Sequence, residues 1–161
     1  NAFKEFVIKN VNENKIDFIV MGDVPFFFFE IRNKIQIIPW LNSFQYHLGV
    51  KSAKADFAIG PLVPNNFNYS KSYIKYQESC AEGIAFIGTT FDNGKPSPYD
   101  VCKLSVKNNC SVKDIEDIIF NHCKDFDSYN KVIKSQYEWM DRSGGYLESK
   151  KYVEMLVKAY F

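Results

Sequence analysis

The 161-residue chain lacks the features that define several common protein classes. Its formal net charge is only +1, which argues against nonspecific binding to a nucleic-acid backbone, because such binding requires concentrated positive charge. No apolar run approaches the roughly 20 residues that a membrane-spanning helix needs, and the apolar stretch from Phe26 to Phe29 is far too short. We therefore expect no nucleic-acid partner and no membrane span.

The cysteines and histidines also fail to form a recognisable site. The four cysteines show no C-x-x-C spacing and the two histidines are far apart, so no zinc motif is present (Cys80, Cys102, Cys110, Cys123, His47, His122). The chain has neither a Walker loop nor a G-x-G-x-x-G motif, and no local Ser-His-Asp or Cys-His signature. We interpret the cysteines as reduced thiols, which predicts a cytoplasmic protein. Because no zinc motif is present, we expect no bound metal.

The composition of the chain predicts one globular domain spanning residues 1–161. Apolar residues make up 46% and charged residues 24% of the chain, which is ordinary for a domain large enough to bury a core. The chain begins with Asn1 rather than Met, and we expect it to be a fragment or a processed product.

A strand, a loop, a helix and a second strand follow one another in the middle of the chain. The apolar run Ala55–Leu62 predicts a strand, and the residues from Asn65 to Asn68 predict a loop. Tyr69 to Glu82 contains no Gly or Pro and predicts a helix that Gly83 ends, followed by a buried strand over Ile84–Ile87. This order predicts a β-α-β unit in a parallel sheet, where ligands bind beyond the carboxyl ends of the strands.

The start of that predicted helix carries a clue to an anionic ligand. Lys71 and Lys75 fall in its first two turns, where a cation opposes the helix dipole and a bound phosphate would remove the conflict. The alternative is that Lys75 and Glu78, three residues apart, form a solvated ion pair that contributes only about 0.2–0.5 kcal/mol.

The remaining elements surround this unit. Strands are predicted at Ile16–Met21, Lys34–Ile38 and Val101–Val106, the last at a sheet edge. Helices are predicted at Ala2–Val11, at Ser43–Ser52 and after the capping residue Ser111. Two more helices are predicted beyond Ser128, the second of them from about Leu147. The loop from Thr89 to Asp100 borders the same edge of the sheet. Two alternatives stay open: Thr89 contacts a ligand or completes the loop, and Gly22-Asp23 approaches a ligand or is an ordinary strand exit.

The residues of the central unit resemble a known family. Phe67-Asn68, Lys71-Ser72, Lys75, Glu78, Ala81 and Gly83 resemble the FN-x-x-KS-x-x-K-x-x-E-x-x-A-x-G pattern of GT-B glycosyltransferases. The similarity is to the donor-binding, C-terminal half of the "glycosyl transferases group 1" class. The flanks agree in order, and the resemblance covers roughly residues 16 to 105 (Met21-Gly22-Asp23, Pro39-Trp40, Gly60-Pro61-Leu62).

The resemblance implies a fold, a substrate and a set of contacts. The fold would be an α/β, Rossmann-like parallel sheet flanked by helices, of the GT-B C-terminal type, with a helical C-terminal segment. Glu78 would hold the ribose hydroxyls of a nucleotide-diphosphate sugar, a substrate rather than a cofactor. Many members carry a second glutamate, which would fall at Ser70. The donor-binding residues implied or suggested by position are Asn66, Phe67, Asn68, Lys71, Ser72, Lys75, Glu78, Gly22, Asp23 and Thr89.

The resemblance also implies missing parts. A GT-B enzyme needs a second, acceptor-binding domain, and this chain also starts after the first strand expected of the donor half. We therefore expect the chain alone to be inactive, with the N-terminal glycosyltransferase domain or another protein chain as its partner. One alternative is a catalytically silent module with a structural or protein-interaction role, docking near Phe26–Phe29. Another is a nucleotide-binding regulatory domain.

Overall fold

The structure of the chain, a computed structural model, describes residues 2–142, with the backbone alone at residues 43 and 44. These residues form an α/β arrangement of parallel strands and packed helices, as predicted. The helices are α1 (Ala2–Asn12), a 3₁₀-helix (Phe26–Lys34), α2 (Ser43–Ala53), α3 (Asn66–Tyr69), α4 (Ile74–Ala81), α5 (Val112–Glu116), a π-helix (Asp117–His122) and α6 (Phe126–Arg142). The strands are β1 (Ile19–Met21), β2 (Gln36–Ile38), β3 (Phe57–Gly60), β4 (Ala85–Thr90) and β5 (Leu104–Lys107). The helix predicted from Leu147 lies outside the described residues.

The strands of residues 2–142 form two separate parallel sheets. β1 pairs with β2, and β4 lies between β3 and β5. The pairing of β3 with β4 confirms the predicted parallel β-α-β unit, and β5 is an edge strand as predicted. In α2, Gly49 faces Met21 at the carboxyl end of β1, and the helix then leads into the amino end of β3. This strand-helix-strand connection is the kind that joins parallel strands, and we infer that the two sheets run in the same general direction.

β4 is the central element of the core. Burial extends along it from Ala85 to Thr89, which confirms the predicted strand covered on both sides. Ala85 and Ile87 pack in the larger core with residues of α1, α5 and α6, whereas Phe86 packs in a smaller cluster with Tyr76 and Tyr99. Successive side chains of a strand point to opposite faces, so β4 joins the two layers.

The run of four phenylalanines forms the first turn of the 3₁₀-helix and is divided between its faces. With three residues per turn, positions three apart share a face. Phe28 and Ile31 are buried, whereas Phe26 and Phe29 are 80% and 58% exposed. Phe28 thus packs in the larger core, and Phe27 is half-buried against it.

Gly83 ends α4 as predicted and turns the chain into β4. Its φ of 69° lies in the left-handed region that favours glycine. Its N–H donates to the carbonyl of Cys80 at 3.1 Å, and the N–H of Ile84 donates to the carbonyl of Ser79 at 2.9 Å. These two bonds satisfy the last carbonyls of the helix in a Schellman arrangement.

Candidate functional site

The segment after β3 forms two short helices instead of the single helix predicted over Tyr69–Glu82. Asn65 caps α3, and its Oδ1 accepts from the N–H of Asn68 at 2.9 Å. The hydroxyl of Ser70 donates to the carbonyl of Asn66 at 3.2 Å. Such side-chain bonds offer the backbone an alternative to a continuous helix. Lys71 and Ser72 consequently lie in the connection between α3 and α4, and Lys75 lies in the first turn of α4.

Asn68, in α3, bonds to the loop that follows β3. It is only 6% exposed, and its Nδ2 donates to the carbonyl of Val63 at 2.8 Å. Its Oδ1 is buried and has no hydrogen-bond partner among the described residues. A buried acceptor without a donor is uncommon and costs free energy. The structure thus gives Asn68 a positioning role, with one acceptor left unused.

The two lysines at the start of α4 lie on the surface. Lys71 and Lys75 are exposed, as is Ser72 between them, and no ion pair within residues 2–142 includes either lysine. The Nζ of Lys71 lies 4.7 Å from the centre of the Phe67 ring, a cation–π contact. Asn66 and Phe67 are also exposed, at the first turn of α3. Both lysine charges are therefore accessible to an anion.

Glu78 is held by a residue that the sequence pattern did not indicate. The hydroxyl of Tyr46, in the first turn of α2, donates to Glu78 Oε2 at 3.2 Å. Burial, together with the nearby Glu78 carboxylate, raises the pKa of the Tyr46 phenol to about 12. The predicted alternative, an ion pair between Lys75 and Glu78, is not found among the described residues.

The start of α4 also differs from the starts of α2, α3 and α5. Those helices have an asparagine or serine side chain that accepts from the first turn. In α4 the capping position is Tyr73, which makes no such bond and whose ring packs instead against Trp139, with centroids 5.5 Å apart. The first turn of α4 also lacks an acidic residue. The positive end of this helix dipole therefore has no protein carboxylate of its own.

Thr89 is engaged by the backbone. Its hydroxyl donates to the carbonyl of Gly60 at 3.0 Å and accepts from the N–H of Leu62 at 3.2 Å, and the side chain is 1% exposed. It therefore ties β4 to the exit of β3. Of the two alternatives for Thr89, these bonds favour the structural one.

Gly22 and Asp23 lie at the end of β1. Gly22 has a φ of 94° and packs against the Trp40 ring, and its N–H donates to the carbonyl of Ile38 at 2.8 Å. Asp23 is exposed. In the described part of the chain, no hydrogen bond joins either residue to the Asn65–Glu78 segment. The structure therefore shows a strand exit here.

The loop after β4 does reach this segment. Asn93 Nδ2 donates to the hydroxyl of Tyr69 at 2.8 Å, and the rings of Tyr69 and Phe91 meet edge to face at 5.4 Å. The sequence placed this loop at the same edge of the sheet. It gave no sign of Tyr46 or Asn93, because both contacts join residues far apart in the chain.

Comparison with known proteins does not assign this surface. The chain was compared with protein-family models, curated proteins and solved structures, and no match was found. Among residues 2–142, no three His, Cys, Asp or Glu side chains are grouped as a metal ion would require. Within the same residues, no helix has both the length and the apolar character needed to cross a membrane.

Proposed function

We propose that the chain binds the nucleoside diphosphate of a nucleotide sugar, as the donor half of a GT-B-type glycosyltransferase. The site would be the Lys71–Glu78 surface, defined as Lys71, Ser72, Lys75 and Glu78. The observation that carries this proposal is that Tyr46 rather than Lys75 bonds to Glu78. The carboxylate is thereby oriented, and Lys71 and Lys75 are exposed and belong to no ion pair within residues 2–142. The family pattern described above points to the same residues.

Each residue has a role that follows from its chemistry. The Glu78 carboxylate can accept several hydrogen bonds, and Tyr46 fills one position at Oε2, so the others are available for the two ribose hydroxyls. Lys71, Lys75 and the uncapped start of α4 supply positive charge for a diphosphate. Phe67 limits the freedom of the Lys71 side chain through its ring contact.

In this proposal the chain assists catalysis electrostatically. Glycosyl transfer leaves a nucleoside diphosphate, whose negative charge increases as the bond to the sugar breaks. Lysines and helix N–H groups placed at that diphosphate stabilise the transition state, and their positive charge can replace that of a metal ion. The acceptor and the catalytic base would come from the second domain or from another chain.

Calorimetric titration of the chain with UDP and with GDP tests the proposal. We expect at least one nucleotide to bind, and Glu78→Gln to weaken binding by about tenfold or more, since it removes a charged acceptor. Glu82→Gln, the same change at the residue that caps the C-terminal end of α4, is the matched control and should bind as the wild type does. Uridine and guanosine, which lack the diphosphate, should bind far more weakly.

Absence of binding by a folded chain would contradict the proposal. The interaction module would then be the better assignment. The observation that favours it is the exposed aromatic surface of Phe26, Phe29 and Trp40, the last of which is 76% exposed.

A further inference from the structure

A cavity of about 930 Å³ separates the two sheets. β1 is an edge of the two-stranded sheet and β3 is an edge of the three-stranded sheet. Phe18 and Ile19 line the cavity from one side, and Phe57, Ala58 and Ile59 line it from the other. The cavity thus lies between two strands that do not pair with each other.

Helices contribute apolar side chains to the rest of the lining. Phe3, Phe6 and Val7 project from α1, and Val50 and Ala53 project from α2. Lys15 and Lys54 lie where the chain enters β1 and β3. The lining is therefore mainly apolar, with most of its charged residues where the strands begin and Lys4 on α1.

The two strand edges restrict what can occupy this space. Along β1 and β3, the pairing found in residues 2–142 uses one side of each strand, so N–H and C=O groups on the other sides require partners. A hydrocarbon would fill the apolar volume but leave these groups unbonded. A nucleotide would bring charged phosphate against phenylalanine rings, at a high desolvation cost. An extended polypeptide satisfies both requirements.

We propose that this cavity is the docking site for an apolar β-strand that belongs to a separate polypeptide chain. Because β1 and β3 run in the same general direction, one strand between them can pair with both in parallel. The added strand would then join the two sheets into one sheet of six strands. A strand buried on both faces is uninterrupted in its apolar character, and about five to seven residues would span the site.

The proposal does not depend on nucleotide binding, and the two can be tested separately. Strand addition to exposed sheet edges is a recognised mode of peptide binding, in which main-chain hydrogen bonds provide much of the affinity. Here both edges would be used at once, which distinguishes the site from an ordinary open sheet edge.

Amide hydrogen exchange with added peptides tests the proposal. The probes are a panel of apolar peptides of about seven residues, built from Val, Ile, Leu and Ala with lysines at both ends. We expect at least one to slow exchange in Ile19–Met21 and Phe57–Gly60 by about tenfold or more. The same peptide N-methylated at alternate residues keeps its side chains but cannot donate to the strands, and it should give no protection.

A pair of protein variants provides the second arm. Ala53→Glu places a charge at the cavity lining and should abolish the protection, whereas Ser52→Glu, at an exposed neighbouring position, should preserve it. Should no peptide in the panel protect both strands of the folded wild type, the proposal is wrong. Equal protection by the N-methylated peptide would also overturn it, because apolar filling alone would then account for binding.

Discussion

Gln136 shows how one side chain completes a strand. It lies on α6, is 1% exposed, and makes two hydrogen bonds of 2.9 Å to β4 and its approach: Oε1 accepts from the N–H of Phe86 and Nε2 donates to the carbonyl of Ile84. β5 pairs with β4 only from Ile87 onward. The Gln136 amide therefore replaces a strand neighbour at the positions before β5 begins.

We predict that Gln136→Leu destabilises the chain by at least about 2 kcal/mol, since two buried backbone groups would each lose a partner at roughly 1–3 kcal/mol. The size of the side chain changes little, so the loss is mainly of hydrogen bonds. The measurement is the free energy of unfolding in urea. Gln45→Leu, at an exposed position on α2, is the control and should change stability by less than about 0.5 kcal/mol. Equal effects of the two variants would contradict the assigned role.

Polar residues near the strand ends show where single positions cannot be interpreted from sequence alone. Asn68 was expected at the ligand and a ligand contact was one of two alternatives for Thr89, and both residues are buried and bonded to backbone groups. Lys71 and Lys75 were expected there too and are exposed. The residue type shows that each of these side chains can form hydrogen bonds. Which group each side chain bonds to depends on the chain segment that packs against it in the fold.

At the level of elements, the bond between Tyr46 and Glu78 joins α2 to α4. The two residues are 32 positions apart, and each helix follows a different strand. Glu78 could be identified from the family pattern, whereas Tyr46 could not, because nothing in the local spacing relates it to Glu78. This bond connects the two-stranded and three-stranded parts of the fold through their helices.

The Tyr46 phenol provides a pH test of that connection. Its pKa of about 12 in the folded chain exceeds the ordinary value of about 10 for an unfolded chain. Between these pH values the unfolded state releases the proton first, so this contribution to stability is present below about pH 10 and is lost as the pH rises to about 12. The wild type should therefore lose more stability over this interval than Tyr46→Phe does, as urea unfolding at each pH can measure.

Tyrosine-selective NMR titration gives an independent readout. Glu78→Gln should lower the pKa of Tyr46, since it removes the carboxylate charge while burial remains. Glu82→Gln should leave the titration unchanged. An unaltered Tyr46 titration in Glu78→Gln would show that the two side chains are not in contact in solution.

The boundaries of the helices depend more on side chains that cap the helix ends than on where Gly and Pro are absent. The absence of Gly and Pro favoured one helix over Tyr69–Glu82, but capping by Asn65 and the turn at Ser70 divide the region into α3 and α4. Where the cap was explicit, at Ser111, the predicted cap is confirmed, and Asp114 completes a capping box with it. Side-chain competition for backbone groups decides such cases, and its outcome depends on the neighbouring loop.

For the whole molecule, the two sheets differ in how well they are supported. β4 is buried along nearly its whole length and has a strand on each side. β1 and β2 are three residues long, and each has one strand partner within residues 2–142. Local stability in a protein follows buried contacts and protected hydrogen bonds. The free chain should therefore contain a more stable part and a less stable part.

We predict that amides of β4 exchange hydrogen most slowly and that those of β1 exchange at least about tenfold faster. Native-state hydrogen exchange by NMR measures both, with the free energy of global unfolding in urea as the upper limit for β4. Uniform protection across the two sheets would contradict this prediction. It would mean that the sheets unfold as one cooperative unit in spite of the cavity between them.

The sequence by itself determined the order of the strands, the parallel β3–β4 unit, the buried character of β4 and the helix stop at Gly83. Hydrophobic periodicity and glycine conformation are local properties, and they act through residues close together in the chain. Only the tertiary structure decided that Tyr46 contacts Glu78, that Asn68 and Thr89 are engaged by the backbone, and that β1 and β3 are separated by a cavity. These features arise from packing between distant segments, where the partner of each polar group depends on the fold as a whole.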